Sequence, residues 1–170
     1  MMFNHGAAMP DDFPPLAVGD QRYLEDFEVG QSFATPESPP IGEAAIIDFA
    51  RQWDPQLFHL DDAAARDTLF AGLAASGWHT AAMTMRLLLA GDTRIAGGLI
   101  AGGIEAITWP RPVRPGDRLR CATDVLEVRR SASKPDRGIL KLRTTTTNQH
   151  GQPVQIMTSV MMVPRRHPGD

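Results

Sequence analysis

The chain has 170 residues, of which 42% are hydrophobic, a net charge of -3 and one cysteine, Cys121. Such a length and apolar content build one domain with a hydrophobic core and argue against a disordered chain. A mildly acidic balance without a basic run argues against nucleic acid as a partner, and a lone cysteine excludes an intrachain disulfide and fits a reducing compartment. No apolar run approaches the roughly 18 to 20 residues that cross a bilayer. The opening MMFNHGAAMPDDFPP has acids where a signal peptide has bases. The expectation is a soluble, cytoplasmic protein with no membrane contact.

In chain order, residues 1–21 read as a tail that packs loosely, and order begins at 22. RYLEDFEVGQSFAT, 22–35, suggests a strand or a hooked segment, and PESPP breaks it. GEAAIIDFARQW, 42–53, repeats Ala45, Ile46, Phe49 and Ala50 at helical spacing. Pro55 ends this helix, because the residue before a proline is pushed out of the α region. A second helix is expected over 61–69, capped by Asp61 or Asp62. ASGWHTAAMTMRLLLAG, 75–91, predicts a helix capped by Ser76 and stopped by Gly91. It is apolar nearly all round, so it should be enclosed, as a strongly curved sheet would do. The sheet comes from 98–110, 117–130, 138–149 and 153–164, the last two as a hairpin around a His-Gly turn. Leu119, Cys121, Thr123 and Val125 alternate with polar residues and mark one inward face. Glycines 97, 98, 102 and 103 lack the Lys-Ser/Thr of a phosphate loop and suggest strand packed tightly on helix. The prediction is an α+β domain over 22–164 with a hotdog architecture, a long helix wrapped by a curved antiparallel sheet, and a short tail at 165–170.

Several stretches, taken in order, resemble the MaoC-like dehydratase family, which includes the (R)-specific enoyl-CoA hydratases. YLEDFEVGQSF at 23–33 resembles its N-terminal strand, WDPQLFHLD at 53–61 its catalytic segment, and ASGWHTAAMTMRLL at 75–88 its central helix. GGIEAITWPRPVRPGDRL at 102–119 is similar to its proline-rich strand connection. The better-known hydratases carry Asp-x-Asn-Pro-x-His. Here Asp54-Pro55-Gln56-Leu57-Phe58-His59 keeps the Asp-to-His distance while the proline moves and the asparagine is absent, as in a variant acyl-dehydratase subgroup. The family's hydratases also place a serine about eight residues, just over two turns, beyond the oxyanion glycine. Counting from Gly77, that position is Met85, and Thr84 beside it points about 100° away.

Hydrating an enoyl thioester needs a base for water, an acid for the α carbon and donors for the developing enolate oxygen. On a helix Asp54 and His59 would lie about 140° apart, and on a strand they would face opposite sides. Only an irregular segment lets them converge, and Pro55 imposes one. The resemblance implies that Asp54 and His59 hold the water, with Asp54 as the main base and His59 orienting the water and passing the proton. Gly77 opens the buried helix, where free N–H groups favour negative charge, and is the candidate oxyanion donor. Ser76, Trp78 and His79 flank it as candidate substrate contacts, although Ser76 reads first as a cap and His79 first as a packed histidine.

His5, His150 and His167 share no metal-ligand spacing and read as solvated, so no metal is expected. No cofactor is expected beyond the CoA of the substrate. Arg111 and Arg114 are candidates for the CoA phosphates or for plain loop roles, and some methionines for an adaptable acyl tunnel. The reading is an acyl-CoA hydratase or dehydratase acting as a homodimer, since a single such sheet leaves an open edge, with a higher oligomer also compatible. Two alternatives stand: a hotdog acyl-CoA thioesterase and a non-catalytic acyl-CoA-binding module.

Overall fold

The computed structural model describes residues 13–168. A 3-10 turn at Leu24–Asp26 leads to the short strand β1 (Ser32–Ala34), followed by four helices, α1 (Glu43–Trp53), α2 (Leu57–Leu60), α3 (Asp62–Ala65) and α4 (Gly77–Ala90). The long strands β2 (Ile100–Thr108), β3 (Arg120–Arg130), β4 (Arg137–Thr147) and β5 (Pro153–Pro164) complete the chain. The strands form one antiparallel sheet in the order β1-β3-β4-β5-β2. This is the hotdog arrangement that the sequence pattern predicts.

The sheet presents one apolar face because its strands alternate. Alternate residues are buried along the first half of β3 (Cys121, Thr123 and Val125) and along β5 from Gln155 (Gln155, Met157, Ser159 and Met161). Met83, Leu87 and Leu88 of α4 join Leu119, Cys121 and Val154 in one core cluster. Leu24 and Phe27 from the 3-10 turn join Val125, Leu140, Leu142 and Met161 in a second.

Several boundaries differ from expectation. Phe13 is buried in the first cluster, and the Ala17 amide donates to the Leu89 carbonyl at 3.0 Å, so packed structure begins well before residue 22. Arg165 is buried too, with Nε donating to Glu25 Oε1 at 3.2 Å and Nη1 to the Pro135 carbonyl at 3.0 Å. The body therefore extends past 164; the ion pair of Arg165 with Glu25, 140 positions away, is a contact that hydropathy does not register. The helix expected over 61–69 shrinks to the single turn α3, capped by Asp61, whose Oδ1 accepts from the Ala64 amide at 2.8 Å, and a separate turn, α2, precedes it.

Nor is α4 enclosed. Trp78 (62% exposed), Ala82, Met85 (41%) and Leu89 (41%) form an open stripe along it. The glycines before and within β2 are not tight contacts either. Gly97 and Gly98 adopt φ of +75° and +94° and a Cβ on either would meet open space. They turn the chain into an edge strand that pairs only with β5.

Candidate active site

The site is built where three elements end. α1 stops at Trp53 because Asp54, ahead of Pro55, leaves the helix with φ −152° and ψ 67° while its amide still donates to the Ala50 carbonyl at 2.9 Å. Its carboxylate thus leaves the helix surface. The chain closes a tight turn, with the Gln56 amide donating to the Asp54 carbonyl at 2.7 Å, then coils once into α2, which carries His59. His59 lies on a one-turn helix rather than in irregular chain. The irregularity is confined to Asp54–Gln56, and that suffices to bring the two side chains together.

Asp54 Oδ2 lies 3.5 Å from His59 Nε2. The same oxygen accepts a hydrogen bond from the Ser76 hydroxyl at 2.6 Å, and Oδ1 accepts one from Gln56 Nε2 at 2.7 Å. His59 Nδ1 lies 2.7 Å from the Ala74 carbonyl oxygen. A carbonyl only accepts, so Nδ1 carries the proton and Nε2 is turned toward Asp54. Phe58 and Phe70 wall the imidazole, with ring centroids 4.5 and 5.7 Å away, and it is buried. Burial works to raise the pKa of Asp54, but the Ser76 and Gln56 hydrogen bonds and the His59 charge outweigh it and hold the carboxyl below the usual range. Asp54 is therefore ionised at neutral pH.

Ser76 has two roles. Its Oγ accepts from the Trp78 amide at 3.2 Å, capping α4, and donates to Asp54. One fully buried hydroxyl thereby ties the carboxylate to the start of the central helix. Sequence spacing does not reveal this bond, because 22 residues separate the partners. Gly77 is the first residue of α4, so its N–H lacks an intrahelical acceptor. Its missing side chain has a definite neighbour: a Cβ there would lie 2.8 Å from Trp109 Cε2. The indole of Trp109 rests against Gly77, meets Trp78 edge to face at 5.8 Å between centroids, and donates from Nε1 to Gln155 Oε1 at 2.9 Å. Trp109 and Gln155 were not singled out by the sequence; neither lies near the Asp-His segment in the chain.

His79 stacks on Phe49 at 4.5 Å with rings 6° from parallel, and burial pushes its pKa down to about 4. It is a neutral packed residue at neutral pH. Arg114 is committed to structure: Nη1 donates to the Gly72 and Leu73 carbonyls at 2.7 and 2.9 Å, and Nη2 to that of Phe70. Arg111 is exposed, as are His150 and His167, and His5 lies outside the described residues. Thr84, next to the position of the family's serine, is fully buried and shares a 2.8 Å hydrogen bond with Thr146. Among the described residues no group of three or more His, Cys, Asp or Glu is arranged for a metal, and no helix is long and apolar enough to cross a membrane.

A constellation of ionised carboxylate, oriented imidazole and free helix N-terminus can activate a water beside a polarised carbonyl. Comparison with known proteins places the chain in a family. The family model described as MaoC like domain matches residues 26–148. The Bacillus subtilis protein YdeM is 33% identical over 128 residues, which are 74% of this chain and 87% of YdeM. A crystal structure of a MaoC-like dehydratase from Rhodospirillum rubrum is 49% identical, with a TM-score of 0.82 over 86% of this chain and 99% of that one. The (R)-hydratase from A. caviae, involved in PHA biosynthesis, is 27% identical at a TM-score of 0.65, covering 82% and 99% of the two chains. The (R)-hydratase PhaJ1 of Pseudomonas aeruginosa is 28% identical at 0.63, covering 85% and 86%.

Proposed function

This chain belongs to the MaoC-like domain family, and from that premise we propose that it is a hydro-lyase adding water to, or removing it from, a 2-enoyl-CoA thioester. The observation that carries the reading is the convergence of Asp54 and His59 across 3.5 Å beside the Ser76 cap of α4. A separation too long for a good direct hydrogen bond leaves both atoms free to contact one water lying beside the gap. Asp54, ionised, takes a proton from that water. Nε2 of His59 accepts the water's other hydrogen and so aims its oxygen at C3 of the substrate. As the C3–O bond forms, the π electrons of the enoyl group move onto the thioester oxygen, where the Gly77 N–H receives the charge. The proton that Asp54 took from the water passes to C2, which completes the addition and leaves the carboxylate ionised again; dehydration is the reverse. Base and charge stabilisation come from the chain, so the proposed reaction calls on no cofactor beyond the CoA of the substrate.

The working unit is a homodimer. β2 is an unpaired edge, and the open α4 stripe meets it at a cavity lined by both Met85 and Ile104. A second copy would cover both features.

The test follows the conjugated enoyl absorbance of a panel of trans-2-enoyl-CoAs. Wild type should consume at least one. Asp54→Ala and His59→Ala, still folded, should each lose about 10²- to 10⁴-fold in kcat. Turnover surviving both substitutions rejects this site. Release of free CoA thiol without hydration would make the protein a thioesterase, and thermal stabilisation by CoA esters without product would make it a binding module.

A further inference from the structure

Just past the end of α4 the chain keeps a guanidinium unpaired. Arg94 Nε is buried with no hydrogen-bond partner, and among the described residues no hydrogen bond or ion pair holds the rest of that group. The arginines around it are already committed. Arg22 donates from Nη1 to the Asp92 and Thr93 carbonyls and lies 4.9 Å over the Phe33 ring, and Arg166 Nη2 holds Asp26 Oδ2 at 2.5 Å. The backbone is bent to keep Arg94 in place. Its φ is +40°, a left-handed conformation that a long side chain rarely adopts. Its carbonyl accepts from the Arg22 amide at 2.8 Å, which fixes that bend. Gly19 leaves room for the side chain, since a Cβ there would lie 2.5 Å from Arg94 Nη1. An unmatched buried donor and a strained backbone each cost stability, and Arg94 combines them.

Arg94 stands where two recesses meet. One is open and polar, about 730 Å³, with Asp20, Tyr23 and Arg166 on its walls. Asp20 makes no ion pair with Arg94. The other is about 200 Å³ and mainly apolar, walled by Leu16, Leu88, Ile95 and Leu99. Gly19, Gln21 and Arg94 line both. At about 30 Å³ for a group the size of a water, the apolar recess takes a tail of roughly six to eight carbons. The two together offer a cation at the junction and apolar walls on one side of it. They lie at the opposite end of α4 from Gly77, along a helix of 14 residues that is about 21 Å long.

We propose that these joined recesses are a second ligand site, which takes a medium-chain alkyl carboxylate, with its carboxylate on the Arg94 guanidinium beside Gln21 and its tail between Leu16 and Leu88. A guanidinium fork matches a carboxylate through two parallel hydrogen bonds. Inorganic phosphate would match the charge but leave the apolar recess empty. An alcohol of the same length would fill that recess but leave Arg94 unmatched. The site is separate from the reaction site and does not rest on the hydratase reading.

Calorimetric titration of the full chain with octanoate, 1-octanol, butanoate and inorganic phosphate tests the assignment. Wild type should bind octanoate with a Kd below about 1 mM and each of the other three at least about tenfold more weakly. Arg94→Asn, which places a residue tolerant of positive φ there, should lose about tenfold for octanoate and nothing for 1-octanol. Leu16→Ser, at an exposed position, should weaken octanoate and 1-octanol alike. Asp54→Ala should leave octanoate binding unchanged, which separates this site from the reaction site. If Arg94→Asn does not fold, the comparison of octanoate with 1-octanol on wild type decides the point. Failure of wild type to bind octanoate, equal binding of octanoate and 1-octanol, octanoate binding that survives Arg94→Asn, or its loss with Asp54→Ala overturns the assignment. Octanoate binding gained only in Ile104→Lys, whose charge opposes a second copy at the β2 edge, would show that the partner fills the recess and would overturn it as well.

Discussion

Ser76 is the residue on which the candidate site turns. Its hydroxyl hydrogen goes to Asp54 and its lone pair to the Trp78 amide, so one side chain holds the base and begins α4. Removing it should act on both. Ser76→Ala should lower stability by about 1 kcal/mol, as loss of a helix cap does. It should also raise the pKa of Asp54, since the strongest interaction that opposes burial disappears. Asp54 must be ionised to act as a base. The acid limb of the kcat/KM profile in Ser76→Ala should therefore shift to higher pH, with Ser76→Thr restoring it. An unshifted limb with reduced stability would show that Ser76 is a cap alone. The spacing of Asp54 and His59 and the breaking role of Pro55 are legible in the sequence. The tautomer of His59 is not, because it depends on the Ala74 carbonyl, 15 residues away along the chain.

Among the elements, α1 and α4 meet through the stack of Phe49 on His79. Both rings are easily read as core from their helical periodicity, but the protonation state of His79 is a consequence of burial. Its pKa falls from an ordinary 6.5 to about 4 in the folded protein. Between those values the unfolded chain binds a proton that the folded chain does not. Stability contributed by the neutral stack is therefore complete above pH 6.5 and is lost as pH falls toward 4, by up to about 3 kcal/mol in total. His79→Phe keeps the stack and removes the proton site. Denaturant titrations at pH 7 and pH 4.5 should show a smaller pH-dependent loss in the variant than in wild type. The same loss in both would mean that other groups govern acid unfolding. Helix periodicity also locates α4 within a residue or two, yet it says "apolar all round" where the structure leaves a stripe open. Periodicity reports which positions are apolar, not which neighbour covers them.

At the scale of the molecule, that open stripe and the free edge of β2 describe a surface for a second copy. Ile100 (50%) and Ile104 (55%) are exposed on the edge strand, and Trp78, Met85 and Leu89 on the helix. A lysine on such an edge opposes strand pairing and desolvation. Ile104→Lys should weaken self-association at least about tenfold, as read by sedimentation velocity over a dilution series. A wild type that sediments as a monomer at micromolar concentration would reject the dimer, and a variant that stays dimeric would place the interface elsewhere.

The sequence alone determined the order of elements, the inward face of β3, the hairpin of β4 and β5, the cap and stop of α4, and the break at Pro55. Each follows from local rules of periodicity and backbone geometry, which act over a few residues. Tertiary structure alone decided that Ser76 holds Asp54, that Trp109 fills the space beside Gly77, that Arg114 is spent on backbone carbonyls, and that Phe13 and Arg165 belong to the body. These contacts join residues 22 to 140 positions apart. Their partners are chosen by how α4 settles on the sheet, and no local pattern in the chain encodes that choice.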